Sequence, residues 1–382
     1  MRDPLLNRRL VLTGAGALLA GCASPAPLPP TLAGQTTTPT IAPPSTPPPP
    51  VPPPPPEAAA YLAGEDPPLM PTGDPVLDAW IARVFEEGGA GWRPYLLRAF
   101  QSVAANPAAL VEAQAWQAQR RRAPIALLRE VVTPERVAEG RRRYRQIGWA
   151  GTPKVPVEVL LAIWGAETDF GRRRPRFDLV EAIANAEAHG LGRGFGEFDI
   201  YEAVTLLALG KVDRVKARAF GDGRMGQLAW YPDTYLRWGA DGDGDGRIDI
   251  WDGDEDIFAC LLGALPGWET GLPWAVEVIA PPLDGSDPMQ LRMARSPWRP
   301  LSAVRRADGR AWTLAEQRAG GGDLIAPFGR DGPSFLAFRN LMPLGSVGDA
   351  VNRYDQAAVQ AWGVAVGQLA NEIAGAPPLT VR

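Results

Sequence analysis

The sequence predicts a predominantly α-helical, α+β fold for residues 64–382, and three observations carry that expectation. Apolar residues recur at helical spacing in Pro75–Glu87, Arg93–Ala105, Pro134–Ile147, Val157–Ala166, Asp199–Leu209 and Gln356–Ile373. Strand-like runs are few and short, around Trp274–Ile279 and Trp298–Val304. Punctuation fits helices: Thr133 stands as N-cap before Pro134, and Gly88-Gly89 closes the first pattern. A Gly-rich loop is expected at Gly320-Gly321-Gly322. No internal repeat is visible.

Composition narrows the chemistry. The 382 residues are 46% hydrophobic and 21% charged, with formal net charge −4. One His and two Cys exclude a His/Cys zinc site and an iron–sulfur cluster. The mild acidity argues against a general nucleic-acid binder, which needs an excess of Lys and Arg.

The first 21 residues read as an export signal. Arg2, Arg8 and Arg9 precede an apolar run, Leu10–Ala20, that is too short for the ~20 residues of a membrane span. The run ends in Leu19-Ala20-Gly21-Cys22, which resembles the lipobox of bacterial lipoproteins and makes Cys22 the expected lipidation site. The alternatives are an ordinary secretory signal, or twin-Arg export through Asn7-Arg8-Arg9-Leu10. Ala23 after the Cys, rather than Asp, points to the outer membrane. With Cys22 lipidated, Cys260 has no disulfide partner and reads as a small core residue. Residues 22–63 follow as a tether. Of the 41 Pro, those from Pro25 to Pro56 dominate it and favour extended polyproline II.

Within residues 64–382 the expected parts are a helical portion at about 75–150, a core at about 151–285 plus 330–378, and a small β-containing insertion at about 286–330. The Arg clusters 120–122, 141–143 and 172–174 read as solvated helix faces paired to Glu, or as a surface for an acidic polymer. His189 reads as a helix-end residue, and Gly192-Arg193-Gly194-Phe195-Gly196 as a loop without dinucleotide or phosphate-loop spacing. Trp164, Trp230 and Trp251 read first as core, with Trp230 also a candidate for sugar stacking.

Two motifs carry chemistry. An almost wholly apolar helix, Val157–Ala166, ends in Glu167-Thr168. A carboxylate dehydrated at the end of a buried helix is pushed toward its acid form, as a general acid requires. Asp169, two positions on, points elsewhere, so no two-carboxylate arrangement is visible. The second motif is DGDGDGRIDIWD at 241–252. Asp241, Asp243 and Asp245 occupy positions 1, 3 and 5 of an EF-hand-like loop, with Gly246 at the sharp turn. Arg247 would offer its carbonyl, and Asp249 and Asp252 fill positions 9 and 12. Hard oxygen ligands at this spacing suit a structural Ca²⁺, bound weakly because Asp252 replaces the usual Glu. No organic cofactor is implied.

Taken together these residues resemble the membrane-bound lytic murein transglycosylase B family. The resemblance runs through Pro156–Val159, Trp164–Gly171, Gly223–Gln227, Pro232–Leu236 and Asp241–Trp251, then Trp274–Val278, Phe338–Asn340, Val351–Asp355 and Ala365–Ala370. It implies a lysozyme-like core with an added helical domain and a small β-containing subdomain. It implies cleavage of the MurNAc–GlcNAc β-1,4 bond of peptidoglycan glycan strands without water, giving 1,6-anhydromuramoyl ends. Glu167 would act as acid and then as base. By position Met225, Gln227, Trp230, Asn340 and Tyr354 would line the groove. Periplasmic action from a lipid anchor follows, with glycan strands as the binding partner.

The chain departs from the family at several groove positions. Ala229 stands where a Gln is usual, Ala264 where a Tyr is usual, and Asp355 and Ala357 replace an Asn and a Ser. Each lost polar contact weakens orientation by ~1–3 kcal/mol. A weak or non-catalytic peptidoglycan-binding lipoprotein and a hydrolytic muramidase are therefore the alternative readings.

Overall fold

The Asp74 carboxylate accepts the backbone N–H of Val76 at 2.8 Å and so caps the first helix, α1 (Pro75–Phe100). Gly89 breaks α1 internally at φ 63°, ψ −166°, where the sequence places a stop. The helix resumes, because Trp92, Leu96, Ala99 and Phe100 regain a buried face. In this computed structural model the described residues are 53–55, 58–120, 124–147, 154–193, 198–279, 298–327, 333–347 and 356–376. Cys22 and Tyr354 lie outside them, as does the export signal.

The end of the expected tether belongs to the folded unit. Tyr95 donates to the Pro55 carbonyl at 2.9 Å, Tyr61 stacks on Tyr95 at 6.3 Å, and Ala58 is buried. Arg98 donates to the Leu62 and Gly64 carbonyls at 2.8 and 3.0 Å. A tether running to residue 63 is therefore too long: apolar residues near its end find a face on α1.

Helices α2 (Pro107–Arg120) and α3 (Pro124–Val131) lie within the helical portion expected at about 75–150, though no individual pattern singles them out. In α2 the apolar positions are mostly Ala interleaved with Gln, and α3 is only two turns long, so neither shows an extended apolar period. Next are α4 (Pro134–Gln146), capped by Thr133 as expected, and α5 (Val157–Thr168). Strand β1 (Phe177–Asp178) leads into α6 (Leu179–Ala188) and α7 (Phe198–Ala208). Strand β2 (Arg218–Ala219) pairs antiparallel with β1, and α8 (Pro232–Trp238) and α9 (Asp254–Ala264) follow.

A β-rich part then begins earlier than expected. It contains β3 (Ala275–Ile279), β4 (Trp298–Pro300), β5 (Arg305–Arg306), α10 (Leu314–Ala319), β6 (Gly321–Ile325) and β7 (Ser334–Ala337). The sheet is antiparallel in the order β4-β6-β7-β3-β5. Its own small core is Leu272, Val276, Val278, Val304, Leu324, Leu336 and Phe338. The expected Gly320–Gly322 loop is half right. Gly320 caps α10 in the left-handed region, while Gly321 and Gly322 are strand residues under Arg299 and Ala337.

Finally α11 (Leu341–Val347) and α12 (Gln356–Ile373) return to the helical core. There α12 packs on α3, α4, α5 and α11. The helix α5 is enclosed by α4, α9 and α12, and residues Val159 to Thr168 are all buried. Such burial explains its lack of a polar face. Among the described residues no helix is long and apolar enough to cross a membrane.

Candidate active site

The buried helix α5 delivers Glu167 at its last turn, 2% exposed. The chain then reverses through three successive residues of positive φ: Asp169 at 57°, Phe170 at 56° and Gly171 at 76°. Two of them are not glycine, so the turn holds strain that the surroundings must fix. Thr168 does much of this, donating its hydroxyl to the Gln227 carbonyl and accepting the Gly171 N–H at 3.1 Å. Gly171 is required twice over: by its φ, and because a Cβ there would stand 1.7 Å from Gln227 Oε1. Asp169 does turn away from Glu167. Its carboxylate takes Arg172 at 2.9 Å and Arg136 at 3.5 Å.

The surroundings of Glu167 are not only apolar. Arg224 Nη1 lies 3.5 Å from Glu167 Oε2, and Arg224 Nε donates to Asp222 Oδ2 at 2.7 Å. The guanidinium carbon sits 3.6 Å from the Trp116 ring centroid. Burial opposes the charge on Arg224, but Asp222 and Glu167 outweigh it and hold its pKa up. Arg173 is a second cation here. It is exposed at the edge of the cluster; local desolvation, then the charge of Arg224, push its pKa down, while Glu167 supports it. Asp222, Arg224 and Arg173 are functional candidates that the sequence reading missed; the signal was two charges directly before Met225-Gly226.

Of the expected groove residues, Met225, Gln227 and Trp230 share one turn, Asn340 lies against Glu269 and Leu272, and all four are buried. Met225 and Trp230 are fully buried and exchange backbone hydrogen bonds at 2.7 and 3.0 Å across a tight turn. Gln227 is 3% exposed; its Oε1 accepts the Trp164 indole N–H at 3.1 Å and its Nε2 donates to the Trp251 carbonyl at 2.6 Å. Asn340 is fully buried and bonds the backbone of Glu269 and Leu272. Met225, Gln227, Trp230 and Asn340, expected to line the groove, are buried here, and the amides of Gln227 and Asn340 are taken up by internal hydrogen bonds. Buried amides are drawn to unpaired backbone groups, which motif position alone does not reveal. Trp164 and Trp251 are core, as their first reading holds.

The Asp loop is likewise rearranged. Asp241 accepts Gly244 N–H at 2.6 Å and Gly246 N–H at 2.8 Å, and the Gly246 contact leads in holding its carboxyl low. The carboxylates that converge within 4.8 Å are Asp241, Asp243 and Asp256. Asp256 comes from the first turn of α9, is 3% exposed, and also accepts the N–H groups of Gly242 and Asp249. The Asp245 N–H pulls the other way, yet slight desolvation and the charges of Asp245, Asp256 and Asp241 push the exposed Asp243 up. Crowded carboxylates of this kind fit a hard cation such as Ca²⁺. Asp245 instead accepts the Arg247 N–H at 2.8 Å, Asp249 pairs with Lys216, and Asp252 pairs with Arg174 at 2.9 Å. Of the expected set only Asp241 and Asp243 therefore converge, and the third carboxylate beside them is Asp256, four residues beyond position 12.

Other expectations are met plainly. His189 caps α6 and contacts Asp74 at 3.0 Å. Cys260 is buried and its thiol is pushed up to about 11 by burial. Arg142 and Arg143 pair with Glu139, and Arg172 with Asp169. Arg193, in the Gly-rich loop, bonds Asp199 and Asp233 and lies 3.9 Å from Glu202.

Comparison with known proteins follows the same lines. The family described as the transglycosylase SLT domain matches residues 83–371. No curated protein matches by sequence. Among solved structures, SltB3 from Pseudomonas aeruginosa, in complex with NAG-anhNAM-pentapeptide, is 24% identical with a TM-score of 0.61 over 80% of each chain. Its complex with NAG-NAM-pentapeptide gives 25% identity over the same share. Slt35 from Escherichia coli, in complex with calcium, is 17% identical with a TM-score of 0.56, covering 79% of this chain and 93% of that one.

Proposed function

The chain belongs to the transglycosylase SLT domain family and is a peptidoglycan lytic transglycosylase, and on that premise we propose that Glu167 alone performs both proton transfers. The observation that carries this reading is a single buried carboxyl group presented at the end of α5 by a strained turn. Asp222, the other carboxylate near it, is fully buried and engaged by Arg224 at 2.7 Å, so it is not poised to activate a water.

Glu167 in its acid form gives its proton to the oxygen between MurNAc and GlcNAc, and the C1–O bond breaks. The N-acetyl oxygen of the same MurNAc closes onto C1 and carries the positive charge. The Glu167 carboxylate then takes the proton of the sugar's 6-hydroxyl, whose oxygen attacks C1 and releases the N-acetyl group. The product is a 1,6-anhydromuramoyl end, no water is consumed, and Glu167 is again an acid.

The bound NAG-NAM-pentapeptide of SltB3 supports peptidoglycan strands as substrate. Leu19-Ala20-Gly21-Cys22 supports a lipid anchor, and Ala23 an outer-membrane, periplasm-facing location. Ca²⁺ at Asp241, Asp243 and Asp256 would staple the loop beside Gln227 and Trp251 and supply no step of the chemistry. The inward-facing groove residues favour one second reading, a lipoprotein that binds glycan with little cleavage.

Digestion of purified sacculi tests these readings. Anhydro-ended muropeptides that vanish in Glu167→Gln support the proposal. Reducing ends from wild type indicate hydrolysis, and binding without cleavage supports the second reading.

A further inference from the structure

Arg224 is built into the site in a way that a simple buried ion pair does not require. Asp222 already supplies a full counter-charge at 2.7 Å, and the guanidinium carbon lies over the Trp116 ring of α2, 3.6 Å from its centroid. Yet Nη1 continues to Glu167, 3.5 Å away, with both side chains almost wholly enclosed. When Glu167 is an acid, Asp222 and Arg224 cancel. When it is a carboxylate, Asp222, Arg224 and Glu167 together carry one excess negative charge in a dehydrated setting, offset from the solvent-exposed edge by Arg173. Enclosed charge of that kind is costly unless a cation is fixed beside it. Arg173 stands at the edge of the same cluster, and Glu112, which faces Arg173, is committed to Arg176 at 3.1 Å. Tyr231 is a further titratable group within electrostatic reach of Arg224.

We propose that Arg224, anchored by Asp222 and Trp116, is a positioning residue that orients Glu167 and stabilises its carboxylate between the two proton transfers. The inference rests on the acid-then-base reading of Glu167. After the glycosidic oxygen has taken the proton, Arg224 holds the carboxylate until the 6-hydroxyl proton returns. Arg224 itself gives up no proton. Lys at 224 would keep the charge and lose the guanidinium contact with the Trp116 ring and the link to Asp222.

Initial rates on soluble, uncross-linked glycan strands across pH, with melting curves, provide the test. Arg224→Met removes the cation, so the acid form of Glu167 persists to higher pH. The alkaline limb of kcat/KM should move up by about one pH unit or more. The rate at the acidic plateau should fall ~10-fold or more with KM changed little, as for an interaction made after binding. Arg224→Lys should return the limb most of the way toward wild type. Asp222→Asn frees Arg224 for Glu167 alone, so its limb should move the opposite way, to lower pH. This variant decides the matter if Arg224→Met does not fold. Limbs that stay in place in folded variants, with only the melting temperature lowered, overturn the inference and leave the proposed function standing. A wild type that releases no anhydro product overturns both.

Discussion

Trp164 donates its indole N–H to Gln227 Oε1 at 3.1 Å, one helical turn before Glu167 on α5. The same amide donates to the Trp251 carbonyl at 2.6 Å, and the Gln227 backbone N–H reaches the Ile250 carbonyl at 2.7 Å. One side chain thus couples the helix that carries the acid to the end of the Asp loop. Removing it strands a buried donor and a buried acceptor. Gln227→Ala should cost ~2–5 kcal/mol, read by urea denaturation. A raised KM with unchanged stability would instead return Gln227 to the glycan groove.

Asn340 plays the equivalent part where the β-rich portion rejoins the helical core. Its amide donates to the carbonyls of Glu269 and Leu272 at 3.0 and 2.7 Å and accepts the Glu269 N–H at 2.8 Å. Asn340→Ala leaves all three groups buried, so a loss of ~2–4 kcal/mol is expected. Asn340→Asp keeps the acceptor but turns two donated bonds into repulsion, and should be worse. Thermal melts of both variants check the order; a melt unchanged in Asn340→Ala would remove the bracing role.

These two amides mark where sequence reading stops. The helices α4, α5, α7 and α12 were legible because caps and apolar periodicity are local properties of the chain. Glu167 was legible for the same reason, as a carboxylate ending an apolar helix. Whether Gln227 or Asn340 faces a sugar or a backbone carbonyl depends on segments 24 and 71 residues away in sequence. Asp256 was hidden likewise. It sits on α9, outside the 12-residue register, and meets Asp241 only because the loop folds back onto the helix. The departures at Ala229 and Ala264 read as lost groove contacts, yet Ala229 holds a positive φ of 49° inside a buried turn. Its role there is conformational first.

Glu202 should make stability fall as pH rises. Burial, then the charges of Asp233 and Asp199, push its carboxyl up to about 8, against Arg193 and Arg237. The folded state therefore keeps a proton that the unfolded chain has lost above the ordinary Glu range of about 4.3. Where the folded state binds more protons, unfolding becomes easier with rising pH. The stabilisation is whole below about pH 4 and is lost progressively up to about 8. Glu202→Gln mimics the protonated form and should flatten melting temperature against pH between 5 and 8. An equal slope in both proteins would show that Glu202 is ionised throughout.

Calcium should act through Asp256 rather than Asp252. Asp252 is exposed and paired with Arg174 at 2.9 Å, while Asp256 is buried with its carboxylate facing Asp241 and Asp243. A cation that binds only the folded form stabilises by about 2.7 kcal/mol at 100 times its Kd. That is a rise of several degrees in melting temperature for a chain of this size. Asp252→Asn should keep the rise, because it removes a carboxylate that points to Arg174. Asp256→Asn should abolish it, because the amide can still accept the Gly242 N–H but no longer brings the third charge to the cluster. Differential scanning calorimetry with Ca²⁺ and with a chelator separates the two variants. The reverse pattern, with the calcium response lost in Asp252→Asn and kept in Asp256→Asn, would restore the 12-residue register read from the sequence.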